Sequence, residues 1–267
     1  MRKQKGLNLV WGLDYKRIMR NVWYVILMFF CLGCGPDSAF DCLQNAGTIV
    51  EEEVEVDEFK HIIVFKRIQL IVQKGDEQKV VIQTGKNLLN EINVRVEDSI
   101  LKLSDYNSCN FSRDYDITKV FVTTPDIRQI RNSSGLTVES RGILTFDELA
   151  LVSEDRFNED GFHKDGDFRL TLDVNSLNVD ANGLSKFYLD GKVRSAFFGL
   201  YDSDVRVEAA NLEVLDVGFI HRSTNKLIVN PIERLRGQIR GLGDVISVNR
   251  PPIVEVEELY TGTLIFQ

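Results

Sequence analysis

Histidine and methionine each occur only three times, and cysteine four times, in the 267 residues. Each shortage closes off some chemistry. His61, His163 and His221 stand far apart with no second His or Cys at ligand spacing, so no zinc set is spelled out, and surface or turn positions are expected for all three. A nucleophile elbow and a phosphate loop are absent. Gly241-Leu242-Gly243 lacks the third glycine and the following helix that a dinucleotide fingerprint needs, and reads as a turn. No apolar run reaches the roughly 20 residues that cross a bilayer as a helix. Scarce Met and Ala beside abundant Val, Ile, Leu and Phe favour strands over helices, so an all-β chain is expected. No Pro/Gly/Ser-rich linker interrupts the sequence after about residue 50, which favours one domain.

What is present begins with a targeting signal. An apolar run of about a dozen residues ends at Gly33 and follows Lys16, Arg17 and Arg20, which is the length and flank of a signal-peptide core. Leu32-Gly33-Cys34-Gly35 resembles the lipobox of bacterial lipoproteins, with Cys31 where that box usually has Leu. Residues 1–33 are therefore read as a lipoprotein signal peptide, with Met19 a candidate true start, Cys34 as the acylated residue and residues 34–48 as a small, polar tether. Cleavage would raise the acidity. The formal charge is −8, and without residues 1–33 the balance becomes 26 bases against 39 acids. With no basic stripe to offset that surface, nucleic acid is not an expected partner. Export also exposes thiols to oxidation. With Cys31 removed and Cys34 acylated, Cys42 and Cys109 remain as an even pair, expected to form a disulfide.

The body, residues 49–267, opens with alternating strands. Ile68, Leu70 and Val72 precede the Lys74-Gly75-Asp76 turn, Val80 and Ile82 follow it, and Asn93–Glu97 and Ile100–Leu103 flank a tight turn at Asp98-Ser99, so antiparallel pairing is expected here. Further on, apolar pairs recur at Phe168/Leu170, Phe187/Leu189, Val205/Val207, Leu227/Val229 and Val245/Ser247, with spacings of 19, 18, 22 and 18. A second series falls between them at Leu177/Val179, Phe198/Leu200, Val214/Val217 and Leu235/Gly237. A repeat near 20 residues suggests a parallel β-helix, or solenoid, with a β-sandwich as the alternative. Turn formers precede the pairs at Asp165-Gly166, Asn182-Gly183, Asp202-Ser203, Thr224-Asn225 and Gly241-Leu242-Gly243, where positive φ is expected.

These residues carry a resemblance. Phe59-Lys60-His61-Ile62, Ile68-Gln69-Leu70 with Lys74-Gly75-Asp76, Val80-Val81-Ile82, Glu97–Leu103, and turn-strand units such as Asn182–Ser185 and Gly241–Val245 resemble the head GIN domain family, common among Bacteroidetes lipoproteins, over about residues 50–250. The resemblance implies a right-handed, mostly parallel β-helix and no catalytic residues.

Candidate sites are few. Ser153–Asp167 is an acidic insertion that breaks the repeat. Asp155, Asp160, Asp165 and Asp167 are its calcium candidates, although the spacing fits neither an EF-hand nor a β-roll, and a solvated loop is the alternative. Asp202, Asp204, His221, Arg222 and Asp244 recur near equivalent corners, as a polysaccharide-cleaving β-helix enzyme would need, although Asp at a corner commonly bonds its own turn. Tyr188 and Phe197 should face outward, opposite Phe187 and Phe198, and offer rings for stacking on sugars or protein. Asp37-Ser38-Ala39 and Asp98-Ser99-Ile100 match a Bacteroidetes O-glycosylation pattern at Ser38 and Ser99. The composite expectation is a non-enzymatic outer-membrane lipoprotein, facing the periplasm or the cell surface. It would bind a glycan or an envelope protein without a cofactor; a carbohydrate-active enzyme and a structural spacer are the alternatives.

Overall fold

The computed structural model describes residues 45–107, 117–156 and 161–267, together with Val22. Cys34, Ser38, Cys42, Cys109 and Asp160 lie outside the described residues. One compact unit comprises Ala46–Asn107 and Asp114–Gln267. It is all-β, as the composition requires. Its strands are β1 (Ile49–Val54), β2 (His61–Phe65), β3 (Gln69–Lys74), β4 (Lys79–Gly85), β5 (Ile92–Glu97), β6 (Ile100–Asp105), β7 (Lys119–Thr124), β8 (Gln129–Ser133) and β9 (Val138–Leu144). They continue as β10 (Glu148–Ser153), β11 (Phe168–Ala181), β12 (Lys186–Leu200), β13 (Arg206–His221), β14 (Leu227–Ile239), β15 (Val245–Ser247), β16 (Ile253–Glu258) and β17 (Leu264–Phe266). All seventeen belong to one hydrogen-bonded sheet of mixed sense, in place of the two facing sheets of the sandwich alternative.

Two ladders run through that sheet. In the first, β5 pairs antiparallel with β6, and then β6, β2, β8, β10 and the C-terminal half of β11 pair in parallel. In the second, β1 pairs antiparallel with β4 and β4 with β7, after which β7, β3, β9 and the N-terminal half of β11 pair in parallel. From β11 to β14, single strands of 13 to 16 residues bend to serve both ladders. The first ladder ends on β16, and the second on β15 and β17. Antiparallel pairing is thus confined to the N-terminal part, as expected, and the Asp98-Ser99 hairpin forms with φ of 53° and 60°. The Lys74–Asp76 turn does not make a hairpin, because β7 inserts between β3 and β4.

The register is more regular than the sequence pattern. Phe168, Phe187, Val207, Leu227, Val245 and Leu264 stack as one inward column, an advance of 19, 20, 20, 18 and 19 residues per rung. Val207, and not Val205, is therefore the partner of Phe187. The second column is Leu177, Ala196, Val217, Leu235 and Val254, which shifts the expected partners Phe198 and Val214 onto neighbouring columns. Both series are buried from β11 to β14 because each rung covers the apolar side of the next, whereas at the C-terminal edge Val254 is exposed and Leu264 half-buried. Phe168 and Phe187 stack with centroids 4.8 Å apart. Between β10 and β11 the advance rises to 28, from Leu149 to Leu177, so the acidic insertion does interrupt the repeat.

The turns that lead from the first ladder to the second form a stack of their own. Arg67 N–H donates to Ser134 O, Leu184 to Lys164, Asp204 to Gly183, Thr224 to Ser203 and Gly243 to Ser223. Their glycines correct the expectation of positive φ. Gly183 and Gly243 have ordinary φ but no room for a side chain: a Cβ would sit 2.2 Å from Lys164 O or 1.7 Å from Asn225 O, on the rung below. Positive φ falls on Lys66, Arg67, Gly135 and Ser203.

Candidate functional site

The alternation that buries Val179, Phe198 and Phe219 turns the residues between them outward. On the first ladder these form rows: Asn178, Phe197, Gly218, Arg236 and Glu255, then Asp180, Gly199, Ile220, Gln238 and Glu257. Two of these positions are glycine, and aromatic rings occupy the space. A Cβ on Gly199 would meet Tyr201 Oη at 2.4 Å, and one on Gly218 would meet Phe197 Cδ2 at 3.2 Å. Phe197 keeps 37% of its surface in solvent.

The acidic insertion completes this face. The Arg156 guanidinium lies 3.3 Å over the Tyr201 ring centroid, and Tyr201 Oη donates to Asp180 at 2.9 Å. Asp180 also accepts from the Asn178 amide. Glu154 accepts from Arg156 N–H at 2.9 Å and pairs with Arg131 at 3.1 Å. Arg131 in turn lies 4.3 Å over the Phe162 ring, which stacks on Phe65 at 5.9 Å. Burial alone would raise the Glu154 carboxyl, but the Arg156 backbone N–H and the two guanidiniums outweigh it and hold the group below its usual range. Burial, then the bond to Asp180, pushes the Tyr201 phenol up, so it stays a donor. Phe65, Phe162, Arg131, Glu154, Arg156, Tyr201 and Asp180 thus form one continuous chain of contacts. Cation–π and charge-assisted pairs of this kind fix planar groups in place. Such a face can stack on an apolar or sugar surface and present amide, carboxylate and guanidinium groups beside it.

The corner residues do not assemble into a reactive centre. Asp202 accepts from Ser203 N–H at 2.8 Å, Asp204 from the Thr224 hydroxyl at 2.7 Å and the Asn225 amide at 3.1 Å, and Asp244 from Thr263 N–H at 3.0 Å. Each carboxylate ties a turn together, its own or the next in the stack. Arg222 is exposed on its turn. His221 corrects the expectation of a surface histidine: it points into the core, fully buried, in the column Leu200, His221, Ile239. His61 is half-buried on β2, and His163 is exposed between β10 and β11, at the surface as expected.

The calcium candidates have other partners. Asp155 pairs with Lys164 at 2.7 Å, Asp167 accepts from Lys186 N–H at 2.8 Å, and Asp165 lies exposed by Gly135. Among the described residues no three His, Cys, Asp or Glu side chains converge on a point that could hold a metal. Ser99 is exposed on its hairpin. Tyr188 faces outward as expected, but on the second ladder, under the Arg169 guanidinium at 4.1 Å, so it and Phe197 do not share a surface. Sequence reasoning missed Arg131, Glu154 and Arg156. Outward glycine at 199 and 218 beside Tyr201 and Phe197 signalled the ring face, and of the three residues only Arg156 touches it, over Tyr201. Among the described residues no helix is long and apolar enough to cross a membrane.

The fold matches solved structures. A crystal structure of a "putative adhesin" from Bacteroides fragilis is 21% identical, covers 82% of this chain and 97% of that one, and has a TM-score of 0.71. Two further structures named "putative adhesin", from Parabacteroides distasonis and Parabacteroides merdae, are each 14% identical, cover 83% of this chain and 98% and 97% of theirs, and give TM-scores of 0.59 and 0.52. No curated protein matches the chain. A family model described as "Putative auto-transporter adhesin, head GIN domain" matches residues 58–251, and the chain belongs to that family.

Proposed function

We propose that this chain is a non-enzymatic cell-envelope lipoprotein whose β-helix, wound right-handed, presents the outer face of the first ladder to a glycan or an envelope protein. The observation that carries the reading is the face itself: rings over Gly199 and Gly218, with guanidiniums locked on Phe162 and Tyr201. Rigid aromatic and arginine groups are what binding surfaces concentrate. The adhesin naming of the family agrees with this at a coarse level. Acylation at Cys34 on the outer membrane, a Cys42–Cys109 disulfide, and O-glycans at Ser38 and Ser99 belong to the same reading.

The purified full chain on a glycan array, with surface-envelope proteins as a second panel, tests it. Phe197→Ala should lower the captured signal at least tenfold with the unfolding midpoint unchanged. Wild-type capture by Phe197→Ala would remove this face from the reading, and turnover of an added polysaccharide would overturn the non-enzymatic assignment.

A further inference from the structure

A second site lies at the N-terminal end of the turn stack, away from the aromatic face. Lys66, Arg67, Ser134, Gly135, His163 and Asp165 line an open pocket of about 270 Å³. In a chain of 40 acids and 32 bases, two adjacent bases, Lys66 and Arg67, line this pocket with His163. Lys66 and Arg67 have no carboxylate within ion-pair distance among the described residues, whereas Arg131, Arg156 and Lys164 nearby are all paired. Lys66 is exposed, its Nζ 5.2 Å over the Tyr106 ring.

The backbone adds an independent observation. Lys66 and Arg67 join β2 to β3 with φ of 39° and 55°. This is the left-handed region, disfavoured for long side chains. One rung on, the same turn places Gly135 there at 77°, where no side chain is strained. Glycine would serve the turn equally well at 66 and 67. Asp98-Ser99 occupies the same φ region in a hairpin, but at 66 and 67 two long cations do so, and such outliers concentrate at binding sites.

We infer that this pocket binds the anionic groups of a polysaccharide, carboxylate or sulfate esters carried on sugar rings. Arg67 and Lys66 supply the charge, with the Arg67 fork suited to a planar or tetrahedral oxyanion. His163 adds an N–H donor at the rim, and Asp165, across the pocket beside Gly135, accepts from the sugar hydroxyls that surround such a group.

Binding of the full chain to polygalacturonate, dextran sulfate and uncharged dextran of equal length decides this, with inorganic phosphate as competitor and phosphatidylglycerol vesicles as a separate arm. The two charged polymers should bind, weakening as salt is added, and uncharged dextran should not. Lys66→Asn combined with Arg67→Gly should cut polymer binding at least tenfold while the unfolding midpoint holds or rises, because strain is relieved. Arg95→Ala, a cation paired with Glu97 on β5, should bind as wild type. The double variant should keep the array capture that Phe197→Ala loses, which separates this site from the face proposed above. Undiminished binding by the double variant, equal binding of uncharged dextran, displacement by equimolar phosphate, or capture by vesicles in place of polymer would each overturn the inference.

Discussion

His221 shows how much one residue can disturb a regular stack. Neither ring nitrogen has a hydrogen-bond partner, and its neighbours in the column are Leu200 and Ile239. Burial pulls its pKa down from 6.5 to about 4, and the backbone of Asn225 and Gly243, close but outside bonding geometry, offsets only part of that. The folded state thus keeps His221 neutral where the unfolded chain protonates it. Between pH 6.5 and 4 the unfolded state holds the extra proton, so stability falls with pH through that window, by about 3 kcal/mol at most. Urea midpoints at pH 7 and pH 4.5 should diverge in the wild type and diverge less in His221→Leu. Equal divergence in both would mean the imidazole is solvated. Beside it, Gly243 holds the turn stack closed. Gly243→Ala puts a methyl group 1.7 Å from Asn225 O, so a turn must move, and a loss of about 1–3 kcal/mol or more in denaturant titration is expected.

At the scale of elements, β11 to β14 stand or fall together, since each strand covers the apolar side of its neighbour. Phe187 and Leu227 are both fully buried. Phe187→Ala should lose about 3–5 kcal/mol and Leu227→Ala about 2–5 kcal/mol in chemical denaturation, and wild-type stability in either variant would exclude the inward column that contains both residues. The near-20-residue repeat was legible because inward positions in these strands are large and apolar. Its exact pairing was not. Val205 and Val207 are both buried and apolar, and only the turn at Asp202–Asp204 decides which one meets Phe187. The hairpin at Asp98-Ser99 could be read from local residues. The insertion of β7 between β3 and β4 could not, because nothing local encodes a pairing across 36 to 50 residues of sequence. The candidate face was half legible: Phe197 was placed outward by alternation, while Glu154 and Arg156, from the acidic stretch read for calcium, meet Arg131 of β8 only through the fold.

For the whole molecule, the question is how an acidic domain stays at an envelope whose surfaces are themselves commonly anionic. Removing residues 1–33 leaves 26 bases against 39 acids, so general electrostatics would drive the body away from such a surface. On the proposed reading attachment comes from something other than charge, and Cys34 is where the sequence offers it. The apolar segment before it is too short to span a bilayer, which favours export and cleavage over a retained helix. Two or more acyl chains give stable anchoring where one gives only marginal binding. Expressed with its own leader in a lipoprotein-processing bacterium, the wild type should partition into detergent and carry the mass of a chain beginning at an acylated Cys34. Cys34→Ala should appear in the soluble fraction or remain as a larger precursor. Detergent partitioning and mass unchanged by that substitution would contradict lipid attachment at this residue and leave the folded body to be held by its binding surfaces alone.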